Sequence, residues 1–155
     1  MKKFVLGLCL MFAITSNAQG IGNVRFGTAY DEAMACIKAI LGTPIAADAS
    51  VVTYKDVSFK GFKWSEITFT FKNGRLAEAR CYMNQRSKRA ASSKVTDIAK
   101  VMAKDHVMSM DFEDDGNKFY AGGKSPEGFG HLFTIFISPR NGVWTTQMRF
   151  GPFRI

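Results

Sequence analysis

The sequence predicts an α+β fold made of two tandem units, each a helix followed by an antiparallel β-sheet, with the helices packed on one face of the sheet or sheets. Three observations carry that expectation. Apolar residues recur at helical spacing near 28–42 and again near 92–104, and each stretch is followed by alternating, β-branched and aromatic segments. Asn73-Gly74 and Asn141-Gly142 each separate two such segments, where a tight hairpin turn needs residues that tolerate positive φ. Those dipeptides lie 68 residues apart, which sets them at matching places in units of about 21–84 and 92–155.

The chain opens with Lys2 and Lys3, an apolar run from Phe4 to Ile14, and Ser16-Asn17-Ala18 before Gln19. This three-part pattern predicts a secretory signal peptide over 1–18, cut between Ala18 and Gln19, and leaves a single α+β domain over 19–155. A run of about eleven apolar residues is too short for a bilayer, which needs about twenty, and no later segment comes closer. Leu8 before Cys9 is too large for lipoprotein processing. The expectation is an exported chain, periplasmic or secreted, with no transmembrane segment and no lipid anchor. Removing Lys2 and Lys3 lowers the formal charge from +8 to +6, still basic for its size. About 137 residues remain, enough to bury a core without staples.

In the first unit Thr28 is the predicted helix cap, with Asp31 and Glu32 in the opening turn. Ala29, Ala33, Cys36, Ile37 and Ile40 form the apolar stripe, and Gly42 and Pro44 end it. Val51 to Phe59 and Trp64 to Phe71 read as strands, the latter with Ile67, Phe69 and Phe71 on one side and Glu66, Thr68 and Thr70 on the other. In the second unit Ser92 or Ser93 is the expected cap, and Val95, Ile98, Ala99 and Met102 the stripe. Met108 to Glu113, Lys118 to Ala121, Phe129 to Ser138 and Val143 to Phe150 are the expected strands. Between the units, 84–93 reads as a polar, basic connecting loop.

The hairpins bear on the cysteines. A two-residue loop at Asn73-Gly74 places Glu78 and Arg80 under the helix, whereas a three-residue loop places Ala77, Ala79 and Cys81 there; burying two charges is the costlier choice, so the second register is expected. In the second hairpin the two-residue loop gathers Trp144, Met148 and Phe150 with Phe133, Ile135 and Ile137. Cys36 and Cys81 are then a disulfide candidate in an oxidising compartment, the alternative being two buried thiols.

Phe26-Gly27-Thr28 leading through Glu32 to Leu41-Gly42-Thr43-Pro44, then Tyr54 and a Phe-Lys-Asn-Gly-Arg-Leu hairpin, resembles the small outer-membrane-assembly lipoprotein domain, SmpA/OmlA or BamE-like. The doubled arrangement looks like the β-lactamase inhibitor proteins, and the ending Phe150-Gly151-Pro152-Phe153 is similar to small secreted proteins of Bacteroidetes. The resemblance covers nearly all of the mature chain. Its motifs are caps and turns, and it implies a non-enzymatic binding module without assigning functional positions.

Candidate chemistry is sparse. Asp111 to Gly116 starts like a calcium loop, but position twelve is Gly122 and not a glutamate, so an acidic hairpin turn is the reading. Gly122-Gly123-Lys124-Ser125 matches only the end of a phosphate-binding loop and reads as a connection. His106 and His131 have no spacing that completes a metal or catalytic site. No catalytic residue, metal or cofactor is expected, and the chain is read as no enzyme.

Two surfaces remain. Arg86, Lys88, Arg89 and Lys94 form a basic patch around the connection, suited to weak association with an anionic envelope surface; export argues against nucleic acid. The sheet side opposite the helices is expected to present Trp64, Thr68, Thr70, Arg80 and Tyr82 with Leu132, Phe136, Gln147 and Arg149. Trp, Tyr and Arg dominate protein interfaces, so Trp64, Arg80, Tyr82, Phe136 and Arg149 are the candidate contacts for a protein partner in the cell envelope.

Overall fold

The computed structural model describes residues 20–155; the predicted signal segment and its cut between Ala18 and Gln19 lie outside the described residues. In chain order the elements are β1 (Gly20–Ile21), β2 (Val24–Arg25), α1 (Tyr30–Leu41), β3 (Ala46–Ala47), β4 (Val51–Phe59), β5 (Phe62–Lys72), β6 (Arg75–Gln85), α2 (Lys88–Met102), β7 (Met108–Phe112), β8 (Lys118–Gly122), β9 (Phe133–Arg140) and β10 (Val143–Phe150).

The expected α+β pair of helix-plus-sheet units is not what forms. The described chain is mostly β: one antiparallel sheet of eight strands in the order β3-β4-β5-β6-β10-β9-β8-β7, a separate β1-β2 hairpin, and only two helices. The finding that overturns the division is the ladder between β6 and β10, which runs from Trp144↔Gln85 to Phe150↔Ala79. Had the halves kept separate sheets, both strands would carry a row of unpaired backbone groups. Pairing them satisfies those groups and removes two edges.

Local chemistry moves both helix starts. Ala29 precedes α1 with no side-chain cap, so Thr28 does not serve; the Tyr30 N–H instead donates to the Gly74 carbonyl at 2.8 Å, inside the hairpin turn. Asp31 and Glu32 do occupy the first turn, and Gly42, at φ 82°, ends the helix. The Tyr54 hydroxyl donates to the Gly42 carbonyl at 2.9 Å, fixing that end to β4. Ile40, expected in the stripe, is 41% exposed, and Met34 is buried in its place.

Helix α2 begins about a turn before Ser92. The Ser87 hydroxyl accepts the Ala90 N–H at 3.1 Å, and the two alanines and basic residues that follow favour helix. The expected connecting loop is thereby the end of β6, a short turn and the first part of α2. Its buried stripe is Val95, Ile98, Ala99 and Met102, as the spacing predicts, with Ala91 added.

The first hairpin combines features of both registers considered. Asn73-Gly74 is a two-residue loop with Phe71 opposite Leu76, but the ladder then shifts so that Phe69 faces Ala79 and Ile67 faces Cys81. One extra residue, Ala77, reverses the face, and Ala79 and Cys81 turn inward without a longer loop. The second hairpin keeps its two-residue loop and pairs Met148 with Ile135 and Thr146 with Ile137.

A second reversal lies across β4 and β5. Core positions run Val52 and Tyr54, then Val57 and Phe59; on the paired strand they run Phe69 and Ile67, then Trp64 and Phe62. Asp56, held at φ 51°, sits at the change. Inward residues of the sheet and the stripes of both helices meet in one buried cluster, with Trp64, Tyr54, Phe133 and Phe150 among its largest members. Burying the apolar surface of these side chains supplies the main drive for the fold.

Cys81 is a free, wholly buried thiol at the middle of β6, so the Cys36–Cys81 disulfide does not form. Cys36 lies on α1 and Cys81 on β6; the pattern fixed only that Cys81 faces the helix layer, not which residue stands over it. Burial pushes the Cys81 thiol up, keeping it protonated and inert.

Candidate functional site

The side of the sheet turned away from the buried cluster is assembled by cross-strand pairing. Thr68 on β5, Arg80 on β6, Arg149 on β10 and Thr134 on β9 form one row; Glu66, Tyr82, Gln147 and Phe136 form the row beside it. Arg80, Tyr82, Phe136 and Arg149, proposed from sequence, are thus brought within two adjacent rows. Trp64 is not among them. It is fully buried, its indole N–H donating to the Phe59 carbonyl at 3.0 Å, because the reversal at Asp56 turns it into the core. Leu132 is fully buried as well.

Two guanidinium networks organise this face. Arg140, the last residue of β9, donates through Nη2 to Glu66 Oε1 at 2.8 Å and lies 3.8 Å from the centroid of the Tyr82 ring. A guanidinium over a tyrosine face gains from the ring quadrupole, and it covers Tyr82, which is 7% exposed. In the next row Arg80 donates to Glu78 Oε1, and Arg149 Nε approaches the same oxygen at 3.5 Å. Gln147 donates to the Thr145 hydroxyl at 2.8 Å, which donates to the Ser138 carbonyl at 2.6 Å.

Sequence reasoning missed Glu66, Glu78 and Arg140 as members of this surface. For Arg140 a signal existed: it shares alternation parity with Phe136 and Ser138 on the strand before Asn141-Gly142. Its partner Glu66 lies on β5, and nothing local announces that β6 and β10 will lie between them.

The basic patch is divided. Lys88, Arg89, Ser92, Ser93 and Thr96 on α2 face Asn117 and Lys118 across an open groove of about 580 Å³. Lys88 lies 5.5 Å from the Trp144 ring centroid and Lys118 lies 5.6 Å from that of Tyr120, so both ammonium groups are held over aromatic surface. Lys94 points elsewhere, to Asp97 at 3.6 Å and over Phe62 at 5.9 Å, and Arg86 is exposed at the turn. Lys118 was not part of the sequence reading.

The residues weighed for chemistry are dispersed. His131 is exposed in the long connection before β9, while His106 packs edge-on against Phe133 beside a cavity of about 90 Å³ shared with Lys60 and Asp105. Burial draws the His106 imidazole below its ordinary value, against the pull of Asp105. The acidic segment closes the β7–β8 hairpin, with Gly116 donating to the Glu113 carbonyl and Asn117 to Asp115. Among the described residues no group of three or more His, Cys, Asp or Glu is placed to hold a metal.

No protein-family model, curated protein or solved structure matches the chain. No helix among the described residues is long and apolar enough to cross a membrane.

Proposed function

We propose that this chain is an exported, non-enzymatic binding module that holds a protein partner in the cell envelope against the uncovered side of its sheet. The observation that supports this reading most is the gathering of Arg80, Tyr82, Arg140, Arg149 and Phe136, from three strands, on one partly exposed face. The three guanidiniums are held by Glu66 and Glu78, so little of their rotamer freedom is left to lose on binding. Arg is an anchor expected of such a surface, and Tyr82, buried beneath Arg140, backs it.

The alternative reading is association with an anionic envelope surface, and the groove carrying Lys88, Arg89 and Lys118 favours it. One experiment separates the two. A photo-crosslinking residue is placed at Phe136, or at Ser93 beside the groove, in the full chain expressed in its own cells. The face reading expects a discrete protein adduct from position 136 that is lost when Arg140 is replaced by alanine. Lipid or glycan adducts from position 93, with none from 136, would replace it by the alternative.

A further inference from the structure

Resting on that face reading, we propose that the partner is gripped through an acidic side chain, whose carboxylate enters the cleft beside Arg149. The cleft, of about 190 Å³, lies between the end of the sheet and the connection from β8 to β9, and is lined by Arg149, Thr134, His131, Phe129 and Phe153 among others. Arg149 stands directly opposite Arg80 on the neighbouring strand, a pairing of like charges that is unfavourable unless an anion lies between them. Glu78 is that anion, but it is a single carboxylate shared by two guanidiniums. The trio therefore carries one positive charge in excess.

The hydrogen bonding is unequal in the same sense. Arg80 takes the direct bond to Glu78, whereas Arg149 Nε is buried and makes no hydrogen bond among the described residues. A charged donor held 3.5 Å from a shared carboxylate, outside hydrogen-bond geometry, is incompletely satisfied, and a second carboxylate is the acceptor that fits a guanidinium in two-pronged geometry. Glu127 also lines the cleft and brings a negative charge of its own; its Oε1 accepts the Arg154 backbone N–H at 2.7 Å, and among the described residues the carboxylate that Arg149 meets is Glu78 and not Glu127. Phe129, 72% exposed between Gly128 and Gly130, stands at the cleft and supplies apolar surface for the methylene stem of an incoming Asp or Glu.

The test uses the full mature chain, isotope-labelled, with N-acetyl-aspartate amide as probe and N-acetyl-asparagine amide and inorganic phosphate as comparison arms. The expected result is a saturable shift of the Arg149 Nε–H resonance and of the Thr134 and His131 amides with the aspartate probe, and none with the asparagine one. Arg149→Gln should weaken it at least about tenfold and Arg149→Lys less. An equal response to phosphate, an unchanged response in Arg149→Gln, or equal shifts at Lys88 and Arg89 would overturn the proposal. The wild-type titration stands even where a variant folds poorly. Saturation here without an adduct from position 136 would sink the face reading alone, and the adduct persisting in folded Arg149→Gln would sink the cleft alone.

Discussion

Replacing Trp64 by alanine separates a core role from a surface role at one position. An indole that is fully buried removes about 150–250 Å² from water, worth about 4–6 kcal/mol at roughly 25 cal/mol per Å². Large-to-small changes of this kind cost about 3–5 kcal/mol in practice, so about 4 kcal/mol is the working figure here. The Phe59 carbonyl loses the indole N–H donor as well, adding to the penalty. With a urea slope of about 2 kcal/mol/M for a chain of this size, the midpoint of unfolding should fall by about 2 M. Trp64→Phe keeps most of the ring and loses the N–H, so it should cost about 1–2 kcal/mol. Far-UV circular dichroism during urea titration reads both. A midpoint within about 0.3 M of wild type for the alanine variant, with partner adducts lost from position 136, would refute burial and return Trp64 to the binding face.

Two further outcomes follow from local geometry. Ser87→Ala should lower stability by about 1 kcal/mol, because its hydroxyl holds the Ala90 N–H, while Ser92→Ala and Ser93→Ala should change it little; thermal melts of the three would show the reverse order if α2 began at Ser92. For His106 the folded value lies below its ordinary 6.5, so between the two values the unfolded chain binds more protons and stability rises with pH. That contribution is in place above the unfolded value and is lost as pH falls below it toward the folded one. His106→Gln should flatten the stability curve across that window in urea midpoints measured at several pH values, with Lys60 and Asp105 intact, and an unchanged slope would assign the effect to other groups.

Most strand segments were legible in the sequence because alternation and the two Asn-Gly dipeptides are local signals, and the chain obeys them over most of its length. What alternation cannot carry through is an irregularity. The spacing from Tyr54 to Val57 and from Trp64 to Ile67 is three, not two, with Asp56 at the change, and that break was visible in the residues. Read as continuous alternation, it sends Trp64 to the wrong side. The extra residue at Ala77 is the same device; the cost of burying Glu78 and Arg80 under the helix pointed to the right face for Ala79 and Cys81, but through an expected three-residue loop that does not form. The joining of β6 to β10 and the Arg140 contacts depend on partners distant in sequence, and no local pattern encodes them.

Because β10 follows the other described strands in sequence yet lies inside the sheet between β6 and β9, neither half of the sheet can be completed until β10 is available. During synthesis, and during any passage through a membrane as an extended polymer, both neighbours wait with open backbone groups. Loss of β10 alone would remove a keystone and not a fringe.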